Sequence, residues 1–244
     1  MIRTALVTGA GKRIGRAIAL DMAAHGWDVA VHYGSSETEA DGVAAEIRAM
    51  GRRAITAHAD LEDAASVLRL VPECAGRLGP LTCVVNNASL FIEDDVATLD
   101  PAVWDRQLAV NLRAPVLLAQ ALANHLPPDC FGNVVNIIDQ RVLRPTPDFL
   151  SYSIAKEALH AATRRLAQAL APRIRVNGIG PGPVLQSVYQ TDAAFEAEAR
   201  GTLLRRVTGP AEIAQGVRFI LDAPSLTGQM IALDAGQHLV WTCA

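Results

Sequence analysis

Seven apolar segments, each of a length suited to a strand, recur along the chain with helix-like segments between them. They are RTALVT, DVAVHY, RAITAHA, LTCVVNN, NVVNIID, IRVNGIG and QMIALD. Because these segments are mostly apolar on both faces, they indicate strands of a parallel sheet that helices cover on both sides. The sequence therefore predicts an α/β fold with a doubly wound, mostly parallel sheet of seven strands.

No linker, repeat or low-complexity stretch divides the chain of 244 residues, and we therefore predict a single domain over residues 1–244. Its irregular part is 179–209, which follows the end of a strand, contains several Gly and Pro residues and is long for a connection. Loops of this kind often close over substrates, so we interpret the segment as a substrate lid. The alternative is an ordinary surface loop with a short helix at 192–200.

Charge and composition argue against several functional classes. A net charge of −3 offers no electrostatic case for binding nucleic acid or an anionic membrane surface. No apolar run approaches the roughly 18 residues of a membrane-spanning helix. Met1 leads directly into a strand-like segment, so no signal peptide is expected. Cys74, Cys83, Cys130 and Cys243 match no metal or redox spacing, and we expect a cytoplasmic protein without a metal site.

A glycine-rich loop joins the first predicted strand to the first predicted helix. From its first to its last glycine it reads Gly9, Ala10, Gly11, Lys12, Arg13, Ile14 and Gly15. Glycines here let the chain turn tightly and let backbone N–H groups approach a pyrophosphate at the start of the helix. The loop predicts a dinucleotide-binding site formed by all of these residues except Ala10. A glycine-rich turn without a ligand is the alternative.

The end of the second strand, VHYGSS, favours NADP(H) as the ligand. An acidic residue here would bind the ribose 2′-hydroxyl of NAD, but the segment has no carboxylate that would repel a 2′-phosphate. Ser36 could donate a hydrogen bond to this phosphate, and Lys12 or Arg13 could add positive charge. We include His32 and Tyr33, at the same end of the strand, among the cofactor contacts. His32 could equally be a half-buried strand histidine.

Asp60 ends the third strand and is followed by Leu61. Its carboxylate could accept a hydrogen bond from the adenine amine of the cofactor. It could also cap the next helix, which we expect near 63–76. Both interpretations stay open.

Tyr152 and Lys156 are four residues apart in an alanine-rich helical segment, and they therefore share one face of the helix. Lys156 is one of only two lysines among 22 basic residues, the other being Lys12. At ~4 Å and an effective dielectric constant of about 20, a lysine charge interacts with a phenolate by about 4 kcal/mol. We expect this charge to lower the pKa of Tyr152, so that the phenol can donate a proton near neutral pH.

Asp139 closes the apolar run NVVNII, thirteen residues before Tyr152. It stands at the carboxyl end of a predicted strand, where open parallel sheets bind their ligands. Reduction of a ketone places negative charge on oxygen, which an ionised carboxylate would oppose. Reduction of a C=N bond requires a proton on nitrogen, and burial would raise the pKa of Asp139 so that it shares in the proton supply. An imine-like substrate is therefore favoured.

These residues together resemble the short-chain dehydrogenase/reductase family over essentially the whole chain. The matching motifs are the glycine loop, Asp60-Leu61, Asn86-Asn87-Ala88-Ser89, Asn111, the Tyr152/Lys156 pair and Gly180-Pro181-Gly182. The resemblance implies a Rossmann fold, a nicotinamide cofactor and a homotetramer.

The resemblance also implies a role for each matching residue. Tyr152 would donate the proton, and Lys156 would contact both Tyr152 and the nicotinamide ribose. Asn111 would hold a water of the proton relay. The further cofactor contacts would be Leu61, Asn87, Ala88, Ser89, Pro181 and Gly182.

Asp139 takes the place where the family commonly has serine, and in this it is similar to the pteridine reductase branch. AGKRIG, VHY and the run Asn87-Ala88-Ser89-Leu90-Phe91 resemble the same branch, and bacterial dihydromonapterin reductases have similar motifs. An arginine that many pteridine reductases carry is replaced by Ser35 here. The resemblance implies that Phe91 stacks on the pterin opposite the nicotinamide. It also implies that Arg13 reaches the substrate or the cofactor phosphate and that Ser89 lies beside the ligand.

The predicted activity is NADPH-dependent reduction of a pteridine C=N bond, from a dihydropterin or dihydrofolate to the tetrahydro form. The predicted substrate contacts are Arg13, Ser89, Phe91, Asp139 and Tyr152. A general carbonyl reductase of the 3-oxoacyl type is the first alternative. A non-catalytic NADPH-binding regulator is the second.

Two of the predicted site residues have structural alternatives. Phe91 could belong to the core, as aromatic residues after strands usually do. Asn111 could cap or bridge helix turns instead of binding water. Pro115 lies in the helix expected from Pro101 to about Asn124, and a proline there kinks the helix and leaves backbone groups without partners.

Overall fold

The computed structural model describes residues 3–241, so Cys243 lies outside the described residues. Its strands are β1 (Thr4–Val7), β2 (Asp28–Tyr33), β3 (Ala54–His58), β4 (Cys83–Asn86), β5 (Gly132–Ile137), β6 (Ile174–Pro181) and β7 (Met230–Leu233). Its α-helices are α1 (Arg13–Ala24), α2 (Glu37–Ala49), α3 (Ala64–Leu78), α4 (Pro101–Leu108), α5 (Ala114–His125), α6 (Leu150–Leu170), α7 (Asp192–Gly201) and α8 (Pro210–Asp222). Strands and helices alternate through most of the chain, as the apolar segments predict.

The seven strands form one parallel sheet in the order β3-β2-β1-β4-β5-β6-β7. The predicted doubly wound sheet is therefore confirmed, and every pairing in it is parallel. The chain leaves β1 in one direction towards β2 and β3, and the later strands extend from β4 in the other direction. This switch point leaves a crevice outside the carboxyl ends of β1 and β4, where such sheets bind ligands.

Helices cover both faces of the sheet. On one face α1, α2 and α8 pack through fully buried side chains such as Ile18, Ile47 and Val217. On the other face α3 and α5 pack through Leu70 and Leu122, and α6 joins the same apolar cluster. Burial of this apolar surface is the main stabilising contribution to the fold and makes the sheet a rigid platform for the residues at its carboxyl edge.

The helix expected from Pro101 to about Asn124 is divided into three parts. A single π-helical turn over Ala109–Arg113 separates α4 from α5. Pro115 has no N–H to donate, and a wider turn just before it accommodates the missing hydrogen bond. The π-helical turn points the fully buried Asn111 away from solvent and into the molecule.

The irregular segment that was predicted as a lid at 179–209 begins only after Pro181, because β6 continues through that residue. The remaining part contains α7, which confirms the short helix expected at 192–200. Irregular chain lies on both sides of α7. We refer to 182–209 below as the loop segment.

The cap of α3 is Asp63, whose carboxylate accepts hydrogen bonds from the N–H groups of Ala65 and Ser66. Asp60 instead accepts a hydrogen bond of 2.8 Å from the N–H of Glu62 within its own turn. The capping alternative for Asp60 is therefore wrong. Contact with the adenine amine stays a prediction.

Two negative findings apply to residues 3–241. None of the helices combines the length and the apolar character needed to cross a bilayer. No three His, Cys, Asp or Glu side chains are grouped closely enough to hold a metal ion.

Candidate active site

A hydrogen bond between two acidic side chains lies at the centre of the crevice. The Tyr152 hydroxyl donates to Oδ2 of Asp139 over 2.8 Å. Asp139 follows the end of β5, and its Oδ1 accepts a hydrogen bond from the N–H of Arg141. Tyr152 lies in the first turn of α6, where it is 6% exposed. The structure therefore brings together the two predicted proton donors.

Burial raises the pKa of both groups in this pair. For Asp139, burial is the largest effect on the pKa, and hydrogen bonds from Arg141 and Tyr152 only partly oppose it. For Tyr152, burial and the neighbouring charge of Asp139 raise the pKa well above its ordinary value. Two acids that both favour their protonated forms can retain a proton at a pH where an exposed carboxyl would lose it.

Lys156 does not act on Tyr152 as the sequence predicts. Its ammonium donates a hydrogen bond of 2.9 Å to the carbonyl oxygen of Ile137 and lies 5.6 Å from the centre of the Tyr152 ring. Burial of Lys156, which is 2% exposed, lowers its pKa to about 8. The expectation that Lys156 lowers the pKa of Tyr152 is therefore wrong, because burial and Asp139 raise it.

Asn111 uses its whole side-chain amide within the protein. Its Oδ1 accepts hydrogen bonds from Ser89 Oγ at 2.8 Å and from the N–H of Leu90. Its Nδ2 donates to the carbonyl oxygen of Leu90 and to Oε1 of Gln107. An amide of this kind has two donors and two acceptor positions, so none remains for a water. The predicted water-holding role is thus not available to this side chain, and the bridging alternative is favoured.

Gln107 belongs to the same buried network and was missed by the sequence analysis. Its Nε2 donates to the carbonyl oxygen of Ile92 and to Oγ of Ser151, next to Tyr152 in α6. Asp94 then accepts a hydrogen bond from the N–H of Ser151. The network attaches the segment after β4 to the start of α6. The only sequence signal for Gln107 is its position four residues before Asn111.

Aromatic side chains form one wall of the site. Phe91 stacks on Phe149 with ring centres 4.1 Å apart and meets the Tyr152 ring at 4.7 Å, nearly at a right angle. Tyr189 approaches both phenylalanines from the loop segment, and the Arg141 guanidinium lies 5.1 Å from the centre of the Phe149 ring. Phe91 lines the cavity described below, which argues against the core alternative, and its contact with substrate stays a prediction.

Phe149 is a site residue that the sequence analysis missed. It is the residue just before α6 and adopts the left-handed backbone conformation, with φ of 55°. Non-glycine residues adopt this conformation infrequently, and such strain is common near functional sites. Spacing gave no signal for it, because its ring contacts Phe91 and Tyr189 from distant segments.

The glycine loop forms a close-fitting cradle above β1. A Cβ added to Gly15 would lie 2.2 Å from the carbonyl oxygen of Gly9, and one added to Gly9 would lie 3.0 Å from Cα of Ala88. Lys12 precedes α1 and provides no side-chain cap for it, so the first N–H groups of the helix have no capping partner. Unpaired N–H groups at a helix start bind phosphate. The cradle thus fits the pyrophosphate of a dinucleotide.

Thr8 and Asn87 hold this cradle in place. Oγ1 of Thr8 accepts hydrogen bonds from the N–H groups of Asn87 and Ala88. The Asn87 amide donates to the carbonyl oxygens of Thr8 and Gly9. The predicted contact residue Asn87 is therefore also a brace between β1 and β4. Thr8 was missed as a functional residue.

His32 lies beneath the glycine loop. It is 2% exposed, its Nδ1 accepts a hydrogen bond from the N–H of Gly9 at 3.0 Å, and its Nε2 donates to the carbonyl oxygen of Ala59. Burial lowers the pKa of His32 to about 4, so the ring is neutral near pH 7. The expected direct contact with the cofactor is therefore wrong for this side chain, which supports the loop from below.

The other predicted cofactor contacts lie in different layers of the site. Tyr33, at the end of β2, donates its hydroxyl hydrogen to Glu37, and Ser36 is the residue before α2. Leu61 is 7% exposed and belongs to an apolar cluster of the core, which leaves only its backbone for a ligand. Pro181 and Gly182 line a second, smaller cavity together with Tyr152 and Lys156.

Arg13 and Lys12 have partners other than those expected. The Arg13 guanidinium donates to the carbonyl oxygens of Leu185 and Gln186 over 3.0 and 3.1 Å, and so ties the glycine loop to the loop segment. The Lys12 ammonium lies 2.6 Å from Oε1 of Glu39 in α2. The predicted contacts of both cations with phosphate or substrate stay predictions.

A cavity of about 570 Å³ joins these parts of the site. Its inner end has the glycine loop, and its outer end has the aromatic wall and the loop segment. The predicted residues that line it are Gly9, Lys12, Arg13, Ile14, Gly15, Asn87, Ala88, Ser89, Phe91, Asp139, Tyr152 and Gly182. Gly11, Tyr33, Ser36 and Asp60 lie outside this lining.

The fold and the site together define a dinucleotide-binding α/β protein with proton-donating groups beside its nucleotide cradle. A family model described as short chain dehydrogenase matches residues 3–196. The chain therefore belongs to the short-chain dehydrogenase family.

Comparisons with individual proteins identify several similar enzymes. FolM alternative dihydrofolate reductase 1 from Brucella canis, solved in complex with NADP, is 49% identical; the match covers 99% of this chain and 96% of that chain with a TM-score of 0.96. A short-chain type dehydrogenase/reductase of Picea abies is 32% identical over 96% of this chain and 92% of the relative. A 3-oxoacyl-acyl-carrier-protein reductase of Synechocystis is 31% identical over 96% of each chain.

The glycine cradle gives a first testable prediction. Gly15→Ala places a methyl group against the backbone of Gly9, and we expect it to lower the free energy of unfolding by about 1–3 kcal/mol and to weaken NADPH binding. Gly42→Ala is the matched control, since no atom lies within 4 Å of its added Cβ in α2. It should raise stability by about 0.5–1 kcal/mol and leave binding unchanged. Denaturant titrations and NADPH binding measurements check both; unaltered binding in Gly15→Ala would contradict the assigned cradle.

The buried His32 gives a second prediction. Its folded pKa of about 4 lies below the ordinary value of 6.5, so the unfolded chain binds the proton first as pH falls. The stabilising effect of the neutral ring is complete above about pH 6.5 and is lost towards pH 4. We expect roughly 2–3 kcal/mol less stability at pH 4.5 than at pH 7 from this group. His32→Gln should remove that part of the loss in denaturant titrations, whereas the exposed control His125→Gln in α5 should retain it.

Proposed function

We propose that the protein is an NADPH-dependent reductase of pteridine C=N bonds, acting on a dihydropterin or dihydrofolate. The observation that carries the proposal is the 2.8 Å hydrogen bond from Tyr152 to Asp139 beside the nucleotide cradle. A similar protein, the Brucella canis enzyme, is named a dihydrofolate reductase and was solved with NADP. Both the site chemistry and the similarity therefore support the same reaction.

The acidic pair suits reduction of a C=N bond better than reduction of a ketone. A developing alkoxide would be opposed by Asp139 whenever this carboxyl is ionised. A ring nitrogen needs a proton, and Tyr152 and Asp139 share one across their hydrogen bond. Because burial raises the pKa of both groups, that proton is held in the site until the nitrogen becomes basic enough to accept it.

The proposed cofactor is NADP(H), whose nicotinamide supplies the hydride when it is bound. Gly9, Gly11 and Gly15 would hold its pyrophosphate against the start of α1. Ser36 and Lys12 would face the 2′-phosphate, and the N–H donors and hydroxyl present there fit this role. Lys156 would hold the nicotinamide ribose.

The outer cavity suits a flat, polar ring. Phe91 offers an aromatic face next to Tyr152, and Ser89 places a hydroxyl beside the same phenol. The loop segment would act as the lid, since Tyr189 already reaches the aromatic wall from it. Closing such a lid excludes water from the proton donors.

A carbonyl reductase is the second candidate. The relative from Synechocystis is named a 3-oxoacyl-acyl-carrier-protein reductase, and this observation favours a ketone substrate. Asp139 argues against it for the electrostatic reason given above. The two candidate functions differ in the substrate, a pterin or a ketone, whose addition causes NADPH to be oxidised.

We also propose a cytoplasmic homotetramer. The family resemblance supports this assembly, and apolar side chains such as Phe219 on α8 and Trp241 are exposed in the single chain. Light scattering after gel filtration would measure the mass of the assembly; a monomer at micromolar concentration would contradict the proposal.

The substrate assignment gives a third prediction. Purified protein should oxidise NADPH when dihydrobiopterin or dihydrofolate is added, with little turnover of 3-oxoacyl esters. The reason is that a ring nitrogen can take up its proton as the hydride arrives, whereas a ketone oxygen first becomes an alkoxide, which Asp139 opposes in its ionised form. Absorbance of NADPH gives the rates. Turnover of ketones alone would replace the proposed function with its alternative.

The acidic pair gives a fourth prediction. Asp139→Ser should lower kcat/KM for dihydropterin by about a hundredfold, because Tyr152 loses the group that shares its proton. In the unchanged enzyme, activity should fall as pH rises through the raised pKa of Asp139, and the variant should lack this decrease. Tyr152→Phe should remove nearly all activity. Full pterin turnover in Asp139→Ser, with none in Tyr152→Phe, would rule out the special role of Asp139.

A further inference from the structure

The carboxyl end of β2 carries more negative charge than its strand sequence indicates. No carboxylate lies in the strand end itself, but Glu37 and Glu39 both stand in the first turn of α2. Lys12, in the glycine loop, is the cation that lies against Glu39. These three side chains together leave one net negative charge beside the glycine cradle.

Lys12 forms an ion pair with Glu39 at the surface. Its ammonium lies 2.6 Å from Oε1 of Glu39, and the side chains are 55% and 44% exposed. The hydrogen bond from Lys12 lowers the pKa of Glu39, so this carboxylate is ionised at neutral pH. A ligand phosphate that arrives from solvent therefore competes with Glu39 for the Lys12 ammonium.

No other cation compensates for this pairing in the described part of the glycine loop. Arg13 is turned towards Leu185 and Gln186 in the loop segment. Glu37 is also present as a charge, with its Oε1 accepting the hydrogen bond from Tyr33. The Ser36 hydroxyl makes no capping bond in α2 and is within 3.2 Å of the position of a Cβ on Gly11, so it adds a neutral donor only.

A 2′-phosphate differs from a 2′-hydroxyl by about two negative charges near neutral pH. In open doubly wound sheets the adenosine ribose binds at the end of the second strand, next to the glycine loop. A phosphate there is attracted by Lys12 and repelled by the carboxylate that already holds Lys12. NAD(H), without that phosphate, is nearly indifferent to both charges.

We propose that Glu39 is a specificity-determining residue that weakens NADP(H) binding by competing for Lys12, and so narrows the preference for NADP(H) over NAD(H). This inference rests on NADP(H) as the cofactor in the proposed function. The charge of Glu39 opposes binding of the cofactor phosphate, whereas the other residues assigned to the cofactor site favour it. The protein binds NADP(H) through Lys12 and Ser36 in spite of Glu39.

The test measures cofactor binding alone, without substrate. NADPH and NADH are titrated against the full chain and against Glu39→Gln, by calorimetry or by the fluorescence of the reduced nicotinamide. Loss of the competing charge should tighten NADPH binding by about two- to fivefold at low salt and leave NADH binding unchanged. Because the groups are exposed, the gain should shrink as ionic strength rises.

The chain offers a closely matched control. Glu46 lies on the same helix, pairs with Arg16 of α1 at 2.8 Å, and the two side chains are 45% and 46% exposed. Glu46→Gln removes an equivalent surface ion pair away from the end of β2 and should change neither affinity. Lys12→Met should weaken NADPH binding about tenfold with NADH unaffected.

Three results would overturn the inference. Weaker NADPH binding in Glu39→Gln would mean that Glu39 positions Lys12 for the phosphate. Equal changes in NADPH and NADH affinity would mean that Glu39→Gln alters the glycine loop and not the phosphate site. Unchanged NADPH affinity would mean that the charge of Glu39 does not act on the 2′-phosphate. Failure of the pterin assay leaves this test intact, because no titration contains a pterin. An unchanged protein that binds NADH but not NADPH would reject the cofactor assignment itself.

Discussion

The hydrogen bond between Tyr152 and Asp139 is the interaction on which the rest of the site depends. It joins the end of β5 to the first turn of α6, and the N–H of Arg141 fixes the second carboxylate oxygen. Burial keeps both groups prone to hold a proton, which an exposed pair would release to water. The aromatic wall and the nucleotide cradle are useful only because this pair lies between them.

Much of the surrounding structure restrains that pair. Asn111 and Gln107 are fully buried amides, and their hydrogen bonds attach the segment after β4 to α6. The π-helical turn before Pro115 is the local irregularity that lets Asn111 reach this segment. Hydrogen-bonded buried amides of this kind confer rigidity, because an unpaired amide would cost free energy. The geometry of the acids is thus maintained by residues whose side chains are closed off from solvent.

The sequence predicts those features that follow from periodicity and topology. Tyr152 and Lys156 share a face because the helix repeats every 3.6 residues, and Asp139 reaches them because parallel strands end at one edge of the sheet. The direction of the Tyr152 pKa shift was predicted wrongly, since it depends on burial and on where the Lys156 ammonium points. The roles of Phe149, Arg13 and His32 depend on loop conformations and on contacts between distant segments, which spacing does not encode.

Arg13 connects two regions that would otherwise respond to different ligands. Its guanidinium leaves the glycine loop and binds the main chain near the start of the loop segment, 172 and 173 residues away in sequence. An anion that draws this guanidinium away from those carbonyl groups removes the tie, and the opening of the segment then becomes easier. By reciprocity, an open segment leaves the guanidinium available and favours the anion. The Arg13 side chain thereby couples anion binding at the glycine loop to opening of the loop segment at the other end of the crevice.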